Sequence, residues 1–176
     1  MMNEALKAIY NRRSIRKYKP EQISPEELEA VLEAGVRAPT GMNGQSPIII
    51  VVQDKDELAY LSKLNAKVRN STSDPFYGAP TALVVLSEAN SNFAVQDGSL
   101  VMGNMLNAAS AVGLGSCWIN RAKEVFETAE GKALLKKWGV DGEYIGIGNC
   151  ILGYAEETPE MKPRKKNYIY YANDDR

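Results

Sequence analysis

The sequence contains no histidine. That removes Ser-His-Asp hydrolysis, Cys-His catalysis, H-E-x-x-H metalloproteases and histidine-rich transition-metal sites. Cysteine is scarce: Cys117 and Cys150 form no C-x-x-C and no framework spacing. A disulfide scaffold and a cysteine-based zinc site are therefore not expected, and no metal site is indicated. No apolar run reaches the roughly 18 residues of a spanning helix. The stretch Met1-Met2-Asn3-Glu4-Ala5-Leu6-Lys7 lacks the apolar centre of a signal peptide. A cytoplasmic location and no membrane partner are the expectation. Charge of one sign is missing too. The net charge is −1, so no global field draws in nucleic acid. Neither G-x-G-x-x-G nor G-x-x-x-x-G-K-[ST] occurs, so no Rossmann or P-loop phosphate site is indicated. An enzyme with this inventory borrows its reactivity from a cofactor or uses carboxylates, Lys or Tyr.

What is present suits one globular domain of 176 residues with 44% apolar composition. Residues 3–12 predict a first helix with Ala5, Ile9 and Leu6 inward. Ser24-Pro25-Glu26-Glu27 combines a cap, a proline at the first helical position and the acid of a capping box. Leu28, Val31, Leu32 and Gly35 follow at helical spacing, and Pro39 ends that helix. Residues 40–46 read as a polar loop. Ile48–Val52 and Ala82–Leu86 read as buried strands, with a helix on Leu58, Leu61, Leu64 and Val68 between them. Residues 69–80 read as an irregular excursion. Residues 92–112 predict a long helix whose broad apolar face calls for burial in the core or between subunits. Gly113-Leu114-Gly115 ends it, and Ser116–Ile119 is a short strand. Asn120 is placed to cap a helix containing Val125, Phe126 and Ala129. Tyr144–Gly153 is a strand whose Gly146, Gly148 and Gly153 point to close backbone approach. After Tyr154 the chain turns basic and aromatic without helical period, a tail expected to dock on something.

Four segments can carry chemistry. Arg12-Arg13-Ser14-Ile15-Arg16-Lys17-Tyr18 combines guanidinium forks with a hydroxyl, which suits a phosphate; it also suits a solvated helix end. Ala38-Pro39-Thr40-Gly41-Met42-Asn43-Gly44-Gln45-Ser46-Pro47 can read a heterocycle with its amides or be an ordinary turn. Gly113-Leu114-Gly115-Ser116-Cys117-Trp118-Ile119 is a turn into a strand, with Cys117 read as a small core residue lacking a histidine to activate it. Lys162-Pro163-Arg164-Lys165-Lys166 is basic and held extended by proline.

In this order, the four segments resemble the nitroreductase family of FMN-dependent oxidoreductases over nearly the whole chain. They match R-R-S-x-R-x-[FY], the A-P-S-x-x-N-x-Q-P loop, D-x-G…G-L-G-[ST]-C-W with Asp97-Gly98 opening the long helix, and Gly153-Tyr154 followed by K-P-R-K. The resemblance implies an α+β fold with a central, mainly antiparallel sheet flanked by helices. It implies a flavin-binding domain over residues 1–154 and a tail over 155–176 exchanged between the subunits of an interlocked homodimer. Arg12, Arg13, Ser14 and Arg16 are expected around the FMN phosphate and ribityl chain, completed by Arg164, Lys162 and Lys166 from the tail. Pro39, Thr40, Gly41, Asn43 and Gln45 are expected from the partner subunit. Cys117, Trp118, Ile119 and Asn120 are expected against the ring.

The activity so implied is ping-pong transfer of hydride from NADH or NADPH through the flavin to a nitroaromatic, quinone or similar acceptor. The flavin N5 carries the chemistry, and no protein residue is nominated as catalytic. Other readings are dehalogenation or dehydrogenation on the same fold, a flavin-binding protein without useful turnover, and a basic-armed interaction module without cofactor. The chain departs from longer members in its short segment over residues 65–78, where they place part of the substrate cover.

Overall fold

A computed structural model describes residues 2–172; Met1 and the tail's last four residues, 173–176, lie outside them. Asn3 caps the first helix, α1 (Glu4–Asn11), by accepting the Leu6 N–H. The inward placement of Ala5 and Ile9 does not hold. No α1 residue is buried and Ile9 is 49% exposed, because this short helix lies at the surface beside the long helix. Helix α2 (Pro25–Val36) starts with the full capping box: Ser24 accepts from the Glu27 N–H and Glu27 accepts from the Ser24 N–H. A 3-10 turn, Gly41–Asn43, leads into β1 (Pro47–Val52). Then follow α3 (Lys55–Val68), β2 (Thr81–Glu88), α4 (Ala94–Ala111), β3 (Gly115–Ile119), α5 (Ala122–Glu127), α6 (Ala129–Lys137) and β4 (Tyr144–Gly153).

The four strands form one antiparallel sheet in the order β1-β2-β4-β3. Strand β2 is central and buried along seven of its eight residues. Strand β1, expected to be buried, is an edge: most of it is only half-buried and Val51 is exposed. A bulge between Val85 and Leu86 sets the β2–β4 register. Period-two alternation then sorts the side chains into two layers. On one face Val84, Leu86, Cys117, Ile119 and Ile151 pack with Leu61 and Leu64 of α3, Val125 and Phe126 of α5, and Leu134 of α6. On the other, Leu83, Val85, Cys150 and Leu152 pack with Val31 of α2 and with Val101, Met102 and Met105 of α4.

Close approach explains the glycines of β4. A Cβ on Gly146 would lie 2.4 Å from the Ala122 carbonyl, and one on Gly148 would lie 2.5 Å from Trp118 Nε1. The helix expected after β3 is two helices, because Thr128 leaves helical geometry and caps α6 through the Gly131 N–H. Asn120 is not the cap of α5. Arg121 takes that place in the left-handed region, with φ 79° and no side-chain cap. Among the described residues, no helix is long and apolar enough to cross a membrane.

Candidate functional site

The basic arm leaves α1 and lies along the free edge of β3. Ser14 bridges Ser116 in parallel, and the Ile15 N–H donates to the Ser116 carbonyl at 3.0 Å. Tyr18 bridges Ala155, Glu156 donates its N–H to the Lys17 carbonyl, and the Arg16 N–H donates to Glu157 Oε1 at 2.5 Å. The arm thus joins β3 to the start of the tail. Arg12, Arg13 and Ser14 are half-buried and Arg16 is exposed. Among the described residues none of the three guanidinium groups makes an ion pair with a carboxylate. Arg13 turns back on α1, donating to the carbonyls of Tyr10 and Arg12 at 2.7 and 2.8 Å.

The charges converge on β3. Burial pushes the Cys117 thiol above its ordinary value, opposed by the Arg16 cation, a hydrogen bond with Ser14 and the Arg12 cation. Cys150 is raised by burial as well. Both cysteines are free and buried, and Cys117 is the core residue its setting predicted. Tyr18 is also raised by burial first, and its hydroxyl donates to the Ile15 carbonyl. The arm, β3 and the start of the tail enclose a cavity of about 180 Å³ lined by Arg12, Arg13, Gly115, Ser116, Glu157 and Thr158. That is smaller than the roughly 300–1,000 Å³ of pockets that hold a small organic molecule.

The structure brings Arg12, Ser14, Arg16 and Cys117 together. It does not bring the 39–45 loop to them within one chain. That loop feeds β1, while the arm lies on β3, and the strand order puts β1 and β3 on opposite edges. Three inter-strand steps separate those edges, about 14 Å. Within the loop Pro39, Asn43 and Gln45 are exposed, and Thr40 and Gly41 are half-buried. The Gln45 N–H donates to Thr40 Oγ1 at 3.1 Å. Trp118 is half-buried with its Nε1 buried and lacking a partner among the described residues; Ile119 is buried and Asn120 exposed. Lys162, Arg164 and Lys166 are exposed on a tail without helix or strand, and none of them lines the cavity beside Arg12. A larger cavity of about 1,090 Å³ lies between α3 and residues 71–80, and none of the sequence-predicted site residues lines it.

Two residues beside the site escaped sequence reasoning. Asn65 is fully buried, donates its Nδ2 to the Asn120 carbonyl at 2.8 Å, and keeps Oδ1 without a partner among the described residues. Its signal was available: an amide four residues after Leu61, inside the apolar stripe of α3. Arg121 carried no signal, since nothing in the sequence forces a positive φ there.

The layout defines an α+β protein with an antiparallel four-stranded sheet, helices on both faces and an anion-suited edge. The family model described as the nitroreductase family matches residues 9–154, and the chain belongs to that family. A relative in Archaeoglobus fulgidus, named for NADH dehydrogenase and NAD(P)H nitroreductase, is 33% identical over 99% of this chain and 94% of its own. An FMN reductase [NAD(P)H] of Bacillus subtilis is 27% identical over 93% of this chain and 70% of its own. Among solved structures, a nitroreductase with bound FMN from Bacteroides fragilis superposes with TM-score 0.90 at 31% identity, covering 98% of this chain and 100% of that one. Another with bound FMN, from Desulfitobacterium hafniense, gives 0.88 at 28% identity, covering 98% and 100%.

Proposed function

We propose that the protein is an FMN-dependent oxidoreductase that works as a homodimer on reduced nicotinamide and a small organic acceptor. The observation that carries this is the cluster of Arg12, Ser14 and Arg16 against β3, where, among the described residues, neither guanidinium group is ion-paired and Glu157 is the carboxylate nearby. A phosphate monoester carries about −1.5 to −2 at neutral pH and takes forked donors well. The residues present therefore fit the phosphate of FMN. When bound, the isoalloxazine supplies the redox chemistry, a ping-pong exchange of hydride from NADH or NADPH for electrons delivered to a nitroaromatic, quinone or similar acceptor.

The chain's own residues bind, orient and shelter. Arg12 and Arg16 hold the phosphate, with Ser14 as a neutral donor. Arg164, Lys162 and Lys166 add positive charge from the tail. Residues 117–120 form one wall, and Pro39 to Gln45 of a second copy form the other. Sheet geometry supports the second copy, because the two halves of the site occupy opposite edges of one subunit. Exposed apolar groups support it further: Met42, Phe93, Val95 and Leu100 lie around the start of α4. So does the tail, which leaves Tyr168, Ile169 and Tyr170 largely exposed. In this reading residues 155–157 stay bonded to the arm of their own chain, and the exposed tail from residue 160 docks on the partner. The setting is the cytoplasm, where reduced nicotinamide is available.

One visible spectrum tests the cofactor: the purified protein is yellow, and anaerobic NADH or NADPH bleaches it. A colourless protein that gains no thermal stability from added FMN refutes the reading. Arg12→Ala or Arg16→Ala weakens FMN binding roughly 10–100-fold, as expected for losing hydrogen bonds to a charged group. Unchanged occupancy in both variants removes the phosphate assignment.

A further inference from the structure

Asp97 sits in the first turn of α4, 3% exposed. Its Oδ1 accepts the Gly41 N–H at 2.9 Å, while Oδ2 is buried and has no partner among the described residues. A negative group is tolerated there because the start of a helix carries positive partial charge. Gly41 is held from the other side as well: a Cβ on it would lie 2.3 Å from Cδ2 of Phe93. Gly41 is thus wedged between a carboxylate and an aromatic ring.

The residues that follow need such a hold. Met42, Asn43 and Gln45 all adopt positive φ, at 54°, 56° and 49°. Backbone of this kind is costly for residues with side chains and persists only where surroundings impose it. The loop's other hydrogen bonds are internal: Asn43 to Thr40, Gly44 to Gly41, and Gln45 to both Thr40 and Asn43. Among the described residues, the Gly41–Asp97 bond is the one that ties residues 40–45 to the rest of the fold.

We propose that Asp97 is a positioning residue that clamps the 40–45 loop in the shape in which it meets the flavin of the partner subunit. The proposal rests on the cofactor reading above. Asp97 touches neither flavin nor substrate and acts through the Gly41 amide. What the clamp requires is an acceptor at Oδ1, not a charge. The loop faces the ring system and not the phosphate, so its loss is felt equally by FMN and by riboflavin, which lacks the phosphate.

The test titrates full-length apoprotein with FMN and with riboflavin by flavin fluorescence, and follows amide hydrogen exchange at residues 40–45. Asp97→Ala is expected to weaken both flavins by the same factor, tenfold or more, and to speed exchange of the Gly41 amide. Asp97→Asn, whose amide oxygen still accepts, stays within threefold of wild type. Arg12→Ala gives the contrasting pattern, losing FMN selectively. Should Asp97→Ala not fold, Asp97→Ser, whose hydroxyl falls short of Gly41, is read the same way. Wild-type affinity in the clamp-deficient variant overturns the proposal, and so does an Asp97→Asn loss as large as that of alanine. A wild-type protein that binds neither flavin overturns the cofactor reading instead, and this proposal with it.

Discussion

At the scale of single residues, charge and burial decide what each group can do. Cys117 lies among cations that favour a thiolate, yet burial outweighs them and keeps its pKa raised. Cys117→Ser should therefore leave the kcat of NADH-dependent turnover within about threefold of wild type; a loss of several hundredfold would show a catalytic thiol. Glu27 shows the opposite shift. The Tyr154 hydroxyl first, then the Ser24 backbone N–H, hold its carboxyl below the ordinary value of 4.5. A depressed carboxylate contributes stability that is present above 4.5 and is lost as pH falls through the lower folded value. Thermal melts from pH 6 to pH 3 should show this acid limb. Glu27→Gln should flatten it while keeping the capping box, since glutamine also serves at that position.

At the scale of elements, local chemistry and long-range packing divide the work. Helix α2 begins where Ser24, Pro25 and Glu27 say it must, because a capping box satisfies its own backbone donors without help from elsewhere. Strand β4 spans Tyr144–Gly153 as its pattern predicts. Its Gly146 is needed because α5 lies on it. A Cβ there would meet the backbone of Ala122 and Lys123, which cannot swing aside as a side chain can. Gly146→Ala should lower the Tm by roughly 2–12 °C, the range for overpacking in a chain of this size. The split between α5 and α6, and the left-handed Arg121 that opens α5, were not legible. Both follow from how the chain must turn off β3 to cover the sheet.

At the scale of the whole molecule, the second copy proposed above would give the exposed tail a surface to dock on. The tail is tied to the arm through Ala155, Glu156 and Glu157, then runs exposed from residue 160. Thirteen described residues, 160–172, can span up to roughly 43–47 Å when extended. A chain of this length folds to a radius of gyration of roughly 16 Å, so the tail is long enough to cross a neighbouring subunit. Removing everything after Pro159 keeps the ties to the arm and removes the aromatic residues and the basic run. Light scattering should show weaker dimerisation, and absorbance should show less retained FMN. A truncated protein that stays dimeric and fully loaded would contradict the exchanged tail.

The sequence alone determined what is local: the cap of α2, the periodicity of β4, the exclusion of histidine chemistry, and the four ordered motifs that mark the family. These depend on neighbours a few positions apart or on residue types present or missing. The tertiary structure alone decided what depends on strand order and on side chains meeting across the fold. It placed the arm and the 39–45 loop on opposite sheet edges, made β1 an edge, set Asn65 beneath Asn120 and pinned Gly41 to Asp97, fifty-six positions away. No local pattern encodes such pairings, because they arise only when the sheet and its helices close over a common core.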